Sequence, residues 1–119
     1  MSHSGTVSRS DAESILARAH EADPECARKI LIKGNAVVSS DAARIFAGAE
    51  IDLIGNESQT VGPEDAPMEV HLILLGAEIV LLEGIHLANV PDGVYLLSAA
   101  PISLGEADGA PCRAVLIEA

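Results

Sequence analysis

The sequence predicts an α/β layer architecture with a mixed sheet, and three observations carry that reading. Helix-like stretches with a 3.6-residue apolar period alternate along the chain with short aliphatic runs that suit strands. Turn pairs and Gly- or Pro-bearing segments separate them. At 119 residues the chain holds one core and is too short for two, and it carries no internal repeat, low-complexity tract or second domain boundary. A single domain over residues 1–119 is expected.

The elements follow in order. Ser10-Asp-Ala-Glu13 has capping-box spacing, and Ala12, Ile15, Leu16 and Ala19 then share one face, so a first helix is expected from about Ser10 to His20. Asp23-Pro24 ends it. Residues 1–10 ahead of it are expected to be disordered. Lys29-Ile-Leu-Ile-Lys33 reads as a strand closed by Gly34-Asn35, and Ser39-Ser40-Asp41 caps a second helix carrying Ala42, Ala43, Ile45 and Phe46, with Gly48 as its stop. Ile51–Ile54 is the next strand. Gly55 to Pro67, rich in Gly, Pro, Asn and acidic residues, is a long loop of the kind that carries function. A third helix covers Pro67 to Gly76, a strand from Glu78 to Leu82 delivers Glu83 at its end, and Val94–Ala99 and Cys112–Ile117 are the last two strands.

Composition narrows the function. Phe46 and Tyr95 are the only aromatic residues, so the core is aliphatic and few rings are available to stack a planar ligand. Seven basic against eighteen acidic residues give a net charge of −11, which argues against nucleic acid and anionic membrane as partners, because both need a basic face. Cys26 and Cys112 have neither CxxC spacing nor the density of a disulfide framework and read as reduced thiols. With no apolar leader at the N-terminus, and with Glu78 interrupting the run from Leu72 to Leu82, a cytoplasmic protein is expected.

The run from His71 to Glu83 stands out because an imidazole and a carboxylate, both metal-ligand types, flank an otherwise apolar segment where polar groups are costly unless paired. Ser58 lies in no G-x-S-x-G elbow, which disfavours a serine hydrolase, and no glycine loop is placed to cradle phosphate. Arg113 is expected to pair with a carboxylate in the sheet layer.

Five blocks in order, Ile51–Val61 (IDLIGNESQTV), Met68-Glu-Val-His71, Leu74-Leu-Gly76, Leu82-Glu83-Gly84 and Gly105–Ala114 (GEADGAPCRA), resemble the C-terminal portion of the cyclase family, which includes bacterial kynurenine formamidases and isatin hydrolases. The resemblance covers roughly Ala36 to Glu118. It implies a swivelling β/β/α fold with about three helices, and descent from metal-dependent hydrolysis of an amide such as N-formylkynurenine, a reaction of tryptophan catabolism. In kynurenine formamidases two zinc ions are held in part by an N-terminal H-x-G-T-H-x-D-x-P-x-H motif, and in part by a later histidine and a glutamate twelve positions beyond it. His71 and Glu83 match those later positions in type and spacing.

The N-terminal ligand cluster is missing. His3-Ser-Gly-Thr6 repeats its opening but has Val7 and Arg9 where the second histidine and the aspartate should stand, so it is read as a chance match. A catalytic zinc needs three protein ligands and an open position, so with two the chain is expected to be catalytically deficient, and zinc or manganese, the metals the resemblance suggests, would be bound only weakly by it alone. His20 and His86 are conceivable recruits, although His20 also suits a helix C-terminus. No catalytic residue and no organic cofactor site is assigned. An uncovered sheet edge or apolar face would drive self-association, most simply as a symmetric dimer. The alternatives are a hydrolase site completed by a partner chain that brings the missing ligands, and a small acidic ligand-binding or regulatory oligomer.

Overall fold

The structure, a computed structural model, describes residues 1–65 and 67–118. In chain order its elements are β1 (Gly5–Val7), α1 (Arg9–Ala22), β2 (Lys29–Ile32), β3 (Ala36–Val38), α2 (Ser40–Gly48), β4 (Leu53–Asn56), α3 (Pro67–Gly76), β5 (Val80–Leu82), β6 (Tyr95–Pro101) and β7 (Cys112–Glu118). The three expected helices are present. Parallel and antiparallel pairings both occur but lie in separate small sheets: β2-β4-β5 is wholly parallel, β1 and β3 form a parallel pair, and β6-β7 is an antiparallel hairpin.

The first ten residues correct the expectation of a disordered terminus. Met1 and His3 exchange backbone hydrogen bonds with Lys33, β1 pairs with β3, and the Val7 side chain is fully buried. What holds this segment is tertiary pairing with residues 33–38, which no local pattern announces. The cap of α1 moves accordingly. The chain must turn right after Val7, so Ser8 is the N-cap and closes a capping box with Asp11, two residues ahead of the expected Ser10 and Glu13 pair. Those hydrogen bonds from the Ser8 backbone and hydroxyl hold the Asp11 carboxyl below its usual range.

α2 begins at the expected cap, Ser39, whose hydroxyl accepts the Ala42 N–H at 3.1 Å. Its end differs from expectation. Gly48 remains helical, and the left-handed residue that turns the chain is Glu50, with φ of 57°. α3 runs over the expected residues, and Glu78 takes the left-handed position after it. The strands sit within two residues of their expected starts, and β3 is an unexpected addition too short to show a period. The loop expected over 55–67 gives up Gly55 and Asn56 to β4, and its Ala66 lies outside the described residues.

α1 packs on α2 and α2 on α3, and one aliphatic core joins this helix layer to the parallel strands through Ile15, Ile32, Phe46, Ile54, Val70 and Leu74. The core therefore sits under the α3–β5 segment that carries His71 and Glu83. Among the described residues no helix is long and apolar enough to cross a membrane. Both cysteines are free thiols.

Candidate functional site

The two sequence-predicted ligand residues come together. α3 carries His71 one turn after its start, β5 ends one residue before Glu83, and His71 Nε2 lies 3.1 Å from Glu83 Oε2. Their side chains are 26% and 29% exposed, so the pair is open to solvent on one side.

Each partner is held from behind. His71 Nδ1 lies 2.8 Å from the Pro67 carbonyl oxygen, which can only accept, so Nδ1 donates there and Nε2 is the ring nitrogen that faces Glu83. This is the arrangement that orients metal-ligating histidines. Glu83 Oε2 accepts the N–H of the fully buried Val61 at 2.6 Å, and the Val61 carbonyl in turn accepts the Val38 N–H at 2.6 Å. A bare ring nitrogen and a carboxylate oxygen facing each other both offer electron pairs, so the contact calls for a proton on Nε2 or a cation between them.

Gly62 makes the backing of His71 feasible. A Cβ there would lie 3.0 Å from Pro67 Cα and 3.1 Å from the Pro67 oxygen, so the loop could pass the start of α3 only by displacing the carbonyl that orients the imidazole. On the other side, Gly84 N–H donates to the Ser58 carbonyl and Ile85 N–H to the Asn56 carbonyl. These bonds strap the loop after β4 to the segment holding Glu83.

Two residues that sequence reasoning missed organise this loop. Glu57 accepts the Gly34 N–H on Oε2 and the Leu87 N–H on Oε1, each at 2.6 Å, and those two bonds, Leu87 first, pull its carboxyl below the ordinary range. Asn56 is 1% exposed and its amide donates to the carbonyls of Ala36 and Thr60. Their only sequence signal was position, an Asn-Glu pair where a strand opens into a long loop. The Ser58 hydroxyl lies 2.8 Å from Asn35 Oδ1 and 3.0 Å from the Ala36 carbonyl oxygen, a structural role consistent with the absence of a nucleophile elbow.

The remaining candidates stay apart from the pair. His3 Nε2 sits 3.1 Å from the Thr6 carbonyl oxygen and 3.6 Å from Asp11, at the start of α1. His20 lies in the last turn of α1, and His86 is exposed beyond β5. Arg113 makes no ion pair among the described residues, contrary to expectation, because its place on the outer face of β7 opposite Ala100 brings no carboxylate within reach.

A metal is the group this donor set suggests, and the fit is partial. Two ligands of a tetrahedral zinc at their usual bond lengths stand about 3.3 Å apart, close to the separation of Nε2 and Oε2, and the Pro67 carbonyl already turns Nε2 outward. Among the described residues, however, no group of three or more His, Cys, Asp or Glu side chains converges on one point. Among the described residues two side chains of ligand type meet here, and a catalytic zinc takes three.

No family model matches the chain. A kynurenine formamidase of Salinibacter ruber is 40% identical to it over 83 residues, which is 69% of this chain and 39% of that protein. A solved structure described as a potential metal-dependent hydrolase with cyclase activity superposes with a TM-score of 0.68 at 30% identity, covering 72% of this chain and 48% of its own. Over the shared stretch the chain belongs to the cyclase family. A second solved structure, a predicted metal-dependent hydrolase from Bacillus stearothermophilus, extends the likeness of fold to 97% of this chain and 60% of its own, with a TM-score of 0.76 at 23% identity. The N-terminal β1-α1 unit is thus part of the cyclase-like fold. The chain spans about two-fifths of the length of the cyclase-family relative from Salinibacter ruber.

Proposed function

We propose that this chain supplies His71 and Glu83 as one half of a cyclase-type metal site for hydrolysing a small amide, and that alone it is catalytically deficient. The observation that supports this reading is the pair itself: an imidazole fixed through Nδ1 by a backbone carbonyl, with Nε2 directed at an anchored carboxylate. When bound at such a site, zinc or manganese lowers the pKa of water and polarises a carbonyl. The work of this chain is positional: Pro67 orients the imidazole, Val61 holds the carboxylate, and Gly62 lets the two supports approach.

The names of the relatives suggest an aryl formamide such as N-formylkynurenine as substrate. The missing ligands would come from a partner chain, and function in tryptophan catabolism would depend on that partner. The purified chain, given N-formylkynurenine with added zinc or manganese, is expected to show no turnover above the metal-only blank. Chelator-sensitive hydrolysis by the chain alone would overturn the proposal.

A further inference from the structure

α3 is apolar on two opposite sides. Val70 and Leu74 belong to the core and are fully buried, whereas Met68, Leu72 and Leu75 make a second stripe on the outside. Their spacing, i, i+4 and i+7, puts the three on one face, and Met68 and Leu72 are 67% and 66% exposed. A helix that is apolar all round belongs in an interior. Among the described residues α3 packs on α2 and against β5, and its outer stripe is left to solvent.

The charges around the stripe select what suits it. Glu64 and Asp65 stand exposed just ahead of α3 and Glu78 just past it, and none of the three makes an ion pair among the described residues. On the flank toward α2, Glu69 is already matched by Arg44 at 3.0 Å. The stripe therefore carries uncompensated negative charge at both ends. A second copy stacked on it would set acid on acid in either direction, and an anionic membrane would be repelled in the same way. A helix of opposite character answers both features. Its apolar residues, at the same spacing, pack between the ridges of α3, and Lys or Arg beside them meets Glu64, Asp65 and Glu78.

We propose that the outer face of α3 is the docking surface for a basic amphipathic helix of a partner chain. His71 lies on the flank of the stripe, at i+3 from Met68 and i−4 from Leu75, so a helix seated there runs alongside the partly exposed pair. A partner that brings the missing metal ligands would enter by this face. That identification rests on the half-site reading, whereas the docking surface rests on the stripe and its charges alone. The stripe is about 10 Å long, roughly two turns of helix, so the contact belongs to the weak class, with a dissociation constant on the order of 10 µM.

The probe is a fluorescent helical peptide of about 18 residues built from Leu and Lys, with its leucines on one face. Its controls are a scrambled peptide of the same composition and a helical counterpart built from Leu and Glu. By fluorescence anisotropy the Leu/Lys helix is expected to bind the full chain at least about tenfold more tightly than either control. The exposed pair of substitutions Met68→Ser and Leu72→Ser is expected to weaken that binding at least about tenfold, and Leu96→Ser on the β6–β7 hairpin to leave it unchanged. Hydrogen exchange of the wild type gives a reading that needs no variant, with the peptide slowing exchange in residues 67–76 and not in 95–101. Equal binding of the scrambled or Leu/Glu peptide, binding untouched by the serine pair, or protection on the hairpin instead of α3 would overturn the proposal. So would protection of α3 that rises with protein concentration in the absence of peptide, which would assign the face to a second copy. No metal enters these measurements, so their failure leaves the half-site at His71 and Glu83 to its own test.

Discussion

At His71 the decisive fact is which nitrogen is free. A histidine in the third helix of a small domain is ordinarily a satisfied polar residue, and spacing alone could not separate that role from ligation. With Nδ1 held by the Pro67 carbonyl, Nε2 is the atom that meets Glu83, whether directly or through a cation. The residue types and the twelve-residue spacing were legible in the sequence. The anchors were not, because both come from backbone atoms that any residue could have supplied. Glu57 illustrates the same limit, since its two partners are the N–H groups of Gly34 and Leu87, distant in sequence. Those bonds favour the charged form, so the folded-state pKa lies below that of the unfolded chain. The resulting stability is fully present above the unfolded value and is lost as pH falls through the folded one. Glu57→Gln is expected to cost about 1–3 kcal/mol at neutral pH and to cost progressively less in acid, read by urea unfolding across that range. An equal cost at acid and neutral pH would show that the carboxylate charge is not what holds the loop.

Among the elements, the longer periodic ones were readable and the short non-local ones were not. α2 announced itself through the Ser39 cap and its apolar spacing, whereas α3 was placed over Pro67 to Gly76 without a cap. β1 and β3, three residues each, exist because they pair with one another, and no window of sequence contains that pairing. Their missing context also misplaced the cap of α1 and led to the expectation of a disordered terminus. The junction that makes the pairing feasible is Gly34, whose φ of 111° favours glycine and whose missing Cβ leaves room for the His3 carbonyl oxygen. Gly34→Ala is expected to destabilise the protein by more than about 1 kcal/mol and to raise hydrogen exchange in residues 1–7 more than in α3. Uniform loss of protection, or none, would show that the N-terminal strand is not tied down through this turn.

For the whole molecule, the family resemblance read from five ordered blocks agrees with the sequence and structural relatives, and the layered fold continues through the N-terminal unit that the sequence left unassigned. What the resemblance could not convey is the consequence of spanning only part of those relatives. One core is packed around Phe46 and Ile54, while a hairpin apolar on both faces stands at its margin and, among the described residues, no three side chains of metal-ligand type converge.

The most direct test is a calorimetric zinc titration of the wild type beside His71→Ala and Glu83→Ala. A full structural zinc site releases roughly 10–16 kcal/mol, so half of its ligands suggest about 5–8 kcal/mol, a dissociation constant between roughly 1 µM and a few hundred micromolar. The expected result is one weak site per chain, lost in either variant. Tight stoichiometric zinc in the wild type, or binding unchanged by the two substitutions, would contradict a two-ligand half-site at His71 and Glu83.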